Sequence, residues 1–530
     1  MEKTVPATPP PMPPVSPSAT STGILSAARV VSACILLSRV LGLVRDVLLA
    51  GLFGGGRVND AFVLATLVPN LFRRFFGEGA LTAAFIPAYS DALANKSREE
   101  ADRFARSAMT ILALFLGVVA AGGMGACGVL TRTLGDPKGR MVADLLVILL
   151  PYMPLICLVA LVTGILNVHR HFLLPALASS VLNLFEIAAF FAVGWFAATE
   201  EGKARVIAWS ITAAGLGQLL LQIPALRAHK VPIAPLLKWE PGVGRVLATM
   251  APMTFGIAVF QINVLVDNAV AEAMVPGDGA VSALYFANRL FNFPIALIGI
   301  AIAQAAFPAF ADAFARGRRE EVAGALAKSF RMVLVLAIPA SVGLGILATP
   351  IIRMIFEHGT FGPEMTRRSG AVLAFYGLGT WAACAQHVIT RAFFAARNPK
   401  TPAILGAGAV VMNLGLNLTF VHWWAEAGLA LATSITATVQ LFVLCVLLRR
   451  NVPEVRWLPV LVWCVRPVLA AAAMAAAALA VLSYLPPQKY LQGLVPVAAG
   501  AAVYFAAAVL LRVPEAREVF SFRRHSRNRP

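Results

Sequence analysis

Apolar stretches of roughly 20 residues, the length that crosses a bilayer as helix, recur from residue 24 to residue 512, each closed by a short polar loop. Fourteen spans are expected, near 24–51, 59–90, 104–131, 142–167, 173–197, 205–227, 245–274, 281–311, 322–350, 367–396, 402–423, 427–448, 462–485 and 490–512. The second, eighth and tenth are interrupted by polar residues, as helices lining a polar cavity are. The pattern predicts an all-α polytopic membrane protein.

The loops set its orientation. Loops after even-numbered spans carry the bases, for example Lys96, Arg98, Arg103 and Arg106, then Arg227, Lys230 and Lys238, then Arg316, Arg318 and Arg319. The tail RRHSRNR (523–529) falls on the same side. The positive-inside rule then places both termini in the cytoplasm.

The chain also repeats itself. FIPAYSDALANKSREEA (85–101) aligns without a gap on AFPAFADAFARGRREEV (306–322) at an offset of 221, which also sets Asp46 on Asp267. Two six-helix halves in parallel orientation follow, a transporter architecture with its site between the halves. The expected organisation is a disordered proline-rich leader (1–22), two bundles (23–235 and 236–450), two added helices (451–512) and a basic tail (513–530).

Composition sharpens this. Hydrophobic residues make up 59% and charged residues 13%, against about a quarter charged in soluble domains, and mean hydropathy is +0.78. The net charge of +18 sits in loops, where orientation explains it without nucleic acid. Six cysteines lie in apolar segments without CxxC spacing, which excludes a disulfide or zinc framework. No nucleotide-binding, metalloprotease or serine-hydrolase motif is present. His169 and His171 read as solvated loop residues, and no cofactor is implied.

The chemistry lies in charges at membrane depth. Arg39, Arg45, Asp46, Asp60, Arg73, Arg74 and Glu78 stand in or beside the first two spans. Each costs at least ~2.5–3.5 kcal/mol to insert unless it faces a partner or a water-filled cavity. Mostly cationic, they point to a cavity for an anion. Arg39 and Arg45 lie about 120° apart on one helix and can border a broad cavity. Arg74 and Glu78, at i,i+4, can pair along the helix, which leaves Arg73 facing the cavity. Asp60 either serves the site or caps its own helix. Arg289, with Tyr285 and Asn292 on its face, would close the cavity from the second half. A second, oxygen-rich group joins Asn263 and Asp267, Asn413 and Asn417, and Thr433 or Thr436. It suits a hard cation or a proton relay, or plain interhelical hydrogen bonding.

SRVLGLVRD (38–46), PNLFRRFFGEGALTAAFIP (69–87), ANRLFNFP (287–294) and RNPKTP (397–402) resemble the MurJ (MviN) family of lipid II flippases, in the multidrug/oligosaccharidyl-lipid/polysaccharide exporter superfamily. The resemblance covers essentially the whole chain after the leader. It implies a non-enzymatic transporter that moves lipid II, the undecaprenyl-diphosphate disaccharide-pentapeptide, from inner to outer leaflet by alternating access. It also implies essential cavity arginines at Arg39, Arg45, Arg73 and Arg289 and an important acid at Asp60. A sodium site in some members draws attention to Asp267, Asn413 and Asn417, so Na+ or H+ is the expected coupling ion. Expected partners are lipid II, membrane lipids and cell-wall synthesis proteins. Leu67 and Asn288 stand where some relatives carry lysine and aspartate. The alternatives are a flippase for another polyprenyl-diphosphate glycan, a drug exporter, whose cavity should be acidic, and a non-transporting cell-wall scaffold.

Overall fold

A computed structural model describes residues 21–77 and 80–521. The proline-rich leader up to residue 20, Glu78 with its expected Arg74 pair, and the tail 523–529 lie outside the described residues. Among them every regular element is helical.

The chain runs α1 (Ser21–Phe53), α2 (Arg57–Phe72), a π-helical turn (Arg73–Gly77), α3 (Ala80–Asn95), α4 (Arg98–Thr133), α5 (Pro137–Leu149), α6 (Tyr152–Val168), α7 (Leu173–Phe196) and α8 (Glu200–Ala228). It continues with α9 (Pro241–Met274), α10 (Ala280–Pro294), a second π-helical segment (Ile295–Ile300), α11 (Ala301–Ala315), α12 (Arg319–Ile346), α13 (Ala348–Phe356) and α14 (Pro363–Ala395). It closes with α15 (Lys400–Leu448), α16 (Trp457–Tyr484), α17 (Lys489–Leu510) and α18 (Pro514–Ser521).

Local sequence places the boundaries. Ser97 caps α4 by accepting from the Glu100 amide, and Thr199 caps α8 from the Gly202 amide. Asp136 accepts two amides ahead of Pro137, whose missing N–H is harmless in a first turn. The 49-residue α15 holds two expected spans and breaks at Ala425, where φ is 47° and ψ −134°. The two π segments occupy matching places in the repeat, since moving the first by 221 residues overlaps the second.

By length and apolarity nine helices among the described residues can cross a membrane, or ten if α5 and α6, bent by 41°, form one span. The shortfall from fourteen falls on α1, the α2–α3 rod and α9, and on α15 counted once. Trp195, Phe191, Val411 and Leu458 stand largely exposed, an outer surface suited to lipid rather than water.

Packing groups α1 with α7, α7 and α6 with α8, and α2 with α5. It groups α14 with α12, α10 and α15, and α15 with α9, while α16 and α17 pair and lean on α12 and α13. The groups meet where α2 touches α10 and α3 touches α9. Near α2 and α10 a buried core joins Phe53 and Phe62 to Phe286, Phe356 and Phe361, with Phe286 centred 5.0 and 5.2 Å from the last two. At the end carrying the basic loops, Arg98 and Arg106 donate to the carbonyls of His229 and Ala234.

His169 is not a free loop residue. Its ring stacks on His229 at 5.1 Å and its Nε2 lies 3.2 Å from the Tyr89 hydroxyl, while His171 packs edge-on against His229. The partner ring comes from a loop some sixty residues away, so spacing alone did not reveal it.

Candidate functional site

Between the two groups lies a cavity of about 470 Å3. Arg45 reaches it from α1, Asn70, Arg73 and Arg74 from α2 and the π turn, Tyr152 and Thr163 from α6, and Gln218 from α8. Gln261 and Asp267 come from α9, and Tyr285, Asn288 and Arg289 from α10.

At its centre one buried carboxylate holds two arginines from different groups. Asp46 Oδ1 accepts from Arg45 Nη2 at 2.9 Å and from the Tyr285 hydroxyl at 3.0 Å, while Oδ2 pairs with Arg289 Nε at 3.0 Å. Arg289 Nη2 donates to the Tyr285 hydroxyl at 2.7 Å, with its guanidinium 4.7 Å from that ring's centre. Arg45 Nη1 reaches Asn183 Oδ1 and Glu186 Oε1, both at 3.2 Å. Stripping one partner from a buried pair such as Arg45–Asp46 costs about 3–5 kcal/mol, whereas the Arg289 side chain is partly exposed and more readily taken from Asp46. Guanidinium forks recognise phosphate oxygens, so an entering polyanion competes with Asp46 and Glu186 for cations already in place.

Arg45, Arg73 and Arg289 therefore come together. Arg39 does not: it is exposed on α1 and outside the cavity lining. Arg73 and Arg74 do not divide as the α-helical angle implies. Both line the cavity, Arg73 Nε against Asn70 Oδ1 at 3.4 Å and Arg74 Nη1 against Gln261 Oε1 at 3.0 Å. They lie in a π turn, whose wider step narrows the angle between consecutive side chains. Asn292 turns back onto Asn288. Glu186 joins the site without having been among the expected residues, although a lone acid inside an apolar span is itself a signal.

Asp60 also lies elsewhere, outside the cavity lining and fully buried. It caps no turn of its own helix. It accepts from the Gly279 amide at 2.7 Å and the Ser282 amide at 2.9 Å, so it caps α10 across the two groups, and Ser282 Oγ donates to it as well. Lys138 Nζ sits 2.9 Å from Asp60, 2.7 Å from Glu272 and 3.2 Å from Asp278. Beside this latch a strap from the α13–α14 loop grips the end of α1. The Thr360 amide donates to Gly51 O, and His358 Nε2 lies against Val47 O, each at 2.9 Å. Gly359 is required there: its φ is +58°, and a Cβ would fall 2.2 Å from Gly51 O.

The oxygen-rich group assembles as a cluster. Asn417 Nδ2 donates to Asp267 Oδ1 at 2.6 Å, Asn263 lies against Oδ2, and the Asn413 amide touches Asn263, Asp267, Asn417 and Thr433. Thr436 stands apart, its buried hydroxyl unpartnered. Asn417 Oδ1 is buried without a partner and is the one oxygen of the set open to a hard cation, since both Asp267 oxygens already accept amide N–H groups. No group of three or more His, Cys, Asp or Glu could hold a metal among the described residues.

A family model described as lipid II flippase MurJ matches residues 49–499. A probable lipid II flippase MurJ of Vibrio cholerae is 34% identical over 439 residues, covering 79% of this chain and 82% of the relative. A lipid II flippase MurJ of Burkholderia cenocepacia is 32% identical over 436 residues, covering 79% and 83%. Among solved structures, lipid II flippase MurJ in an inward closed conformation matches with a TM-score of 0.76 at 25% identity, covering 91% of this chain and 98% of that one. An inward-facing multidrug resistance MATE transporter of the MOP superfamily matches with a TM-score of 0.69 at 17% identity, covering 81% and 98%, which speaks to the fold alone.

Proposed function

The chain belongs to the MurJ family of lipid II flippases, and from that premise we propose how its cavity carries the substrate. The protein is a membrane transporter of lipid II. In our reading the diphosphate enters the central cavity and takes Arg45 and Arg289 from Asp46 by charge-assisted hydrogen bonds. Arg73 and Arg74 complete the cationic wall. The observation that carries the reading is the Asp46 clamp, because it ties one arginine from each helix group at the cavity centre. Substrate that replaces Asp46 loosens one group from the other and permits alternating access.

The helices α1–α8 and α9–α15 are the moving bodies, with α16 and α17 as an addition beside them. Both termini lie in the cytoplasm of the inner membrane. The Asp60–Lys138 latch and the 357–362 strap then close the outer end while the cavity faces inward. Asp267 with Asn263, Asn413, Asn417 and Thr433 would hold a coupling Na+ or H+. The protein's part is binding and movement, with no covalent chemistry on the substrate.

The test is outer-leaflet accessibility of lipid II in cells depleted of the protein and rescued by wild type or by Arg289→Ala. Accessibility should fall on depletion and return only with wild type. Unchanged accessibility on depletion, in a strain without a second flippase, would refute the assignment.

A further inference from the structure

The part of the cavity lining that α6 and α8 supply is neutral and holds polar atoms that nothing in the protein satisfies. Tyr152 is 2% exposed and its hydroxyl has no partner. Its ring packs close against α8 because residue 215 is glycine: a Cβ there would come within 2.7 Å of the ring edge. Gln218, one turn further along α8, is also 2% exposed. Its Nε2 donates to Ala178 O at 2.7 Å, which fixes the amide and leaves Oε1 buried and unpartnered. Both side chains line the cavity, and the Tyr152 phenol is within electrostatic reach of Arg73, Glu186 and Arg45.

Buried polar groups are nearly always paired, and each exception calls for an explanation. Here two exceptions line one cavity from neighbouring helices, held by packing and by one hydrogen bond, in the cavity that also holds the arginines assigned to the diphosphate. One is a fixed acceptor and the other a hydroxyl that can donate. An acetamido group presents the complementary pair, an N–H and a carbonyl oxygen. We propose that Tyr152 and Gln218 form the subsite for the N-acetylated sugar that follows the diphosphate, its N–H donating to Gln218 Oε1 and its carbonyl accepting from the Tyr152 hydroxyl. This rests on the flippase reading and adds to it a determinant of headgroup identity: the arginines hold the charge, and this wall reads the sugar.

The experiment measures binding of two lipids to the purified full-length protein in detergent, lipid II and undecaprenyl diphosphate, which has no sugar. Tyr152→Phe removes only an unpartnered hydroxyl, so the empty protein should melt no lower than wild type. It should weaken lipid II binding about 3- to 10-fold, the value of one hydrogen bond, and leave undecaprenyl diphosphate binding unchanged. Gln218→Met should show the same selectivity. An equal loss for both lipids, or no loss for lipid II, would overturn the subsite. Arg45→Ala separates the two claims: it should weaken both lipids, and if it weakens neither, the diphosphate reading itself fails.

Discussion

Replacing Asp60 offers a quantitative check on the closed end of the cavity. Its carboxylate accepts the Gly279 and Ser282 amides and the Ser282 hydroxyl from α10 and pairs with Lys138. Asp60→Ala removes an N-cap, which costs about 0.5–2 kcal/mol, and charge-assisted bonds worth about 1.5–3 kcal/mol. Lys138 keeps Glu272 and Asp278, so it is not left an isolated buried cation and the penalty stays below that of a fully broken pair. A loss of about 3 kcal/mol shifts the closed-to-open ratio roughly 100-fold. Asp60→Asn keeps one acceptor oxygen and should fall between. Spin labels at Gly56→Cys and Pro276→Cys, both exposed beside the latch, would report the separation by pulsed electron paramagnetic resonance, on a background lacking the native cysteines. A longer-distance population should appear with Asp60→Ala. Identical distance distributions in wild type and Asp60→Ala would refute the latch.

Other consequences follow from the same geometry. Gly359→Ala should loosen the strap on α1, by about 1–2 kcal/mol for the left-handed backbone alone, seen as a lower melting temperature; an unchanged melt would show that the strap bears no strain. His169, at the end of α6, has its pKa lowered from 6.5 by burial and then by His229 and Arg98. The unfolded chain therefore takes up its proton first, so stability present above pH 6.5 is lost as pH falls below it. Melting curves should decline with acid from that point and flatten in His169→Gln; an equal decline in both would assign the effect elsewhere. Asp267→Asn removes the one carboxylate of the oxygen cluster and should abolish any sodium dependence of transport, whereas retained dependence would place the ion elsewhere.

Much of this was legible in the chain. Helical class and internal duplication follow from apolar run length and from an ungapped repeat, properties local to sequence. Arg45, Arg73 and Arg289 were legible because a charge inside an apolar run must find a cavity or a partner. Illegible was which partner. Asp60 is resolved by an α10 amide more than two hundred residues away, and Arg39 stands exposed outside the cavity lining although its neighbourhood resembles that of Arg45. Arg74 lines the cavity beside Arg73 because a π turn alters the angular period on which helix-face reasoning depends; its expected pair with Glu78 lies outside the described residues. Glu186, an acid alone in an apolar span, is legible by the same rule that marks the arginines.

The central claim is that Arg45 and Arg289, held apart from substrate by Asp46, carry the diphosphate across. Its most direct test is transport of labelled lipid II by purified protein in proteoliposomes, comparing wild type, Arg45→Ala, Arg289→Ala and Asp46→Asn. The account predicts that each arginine variant loses transport by tenfold or more (about 1.4 kcal/mol or more) while remaining folded. It also predicts that Asp46→Asn binds lipid II more tightly yet moves it more slowly. Wild-type rates in Arg45→Ala and Arg289→Ala would contradict it.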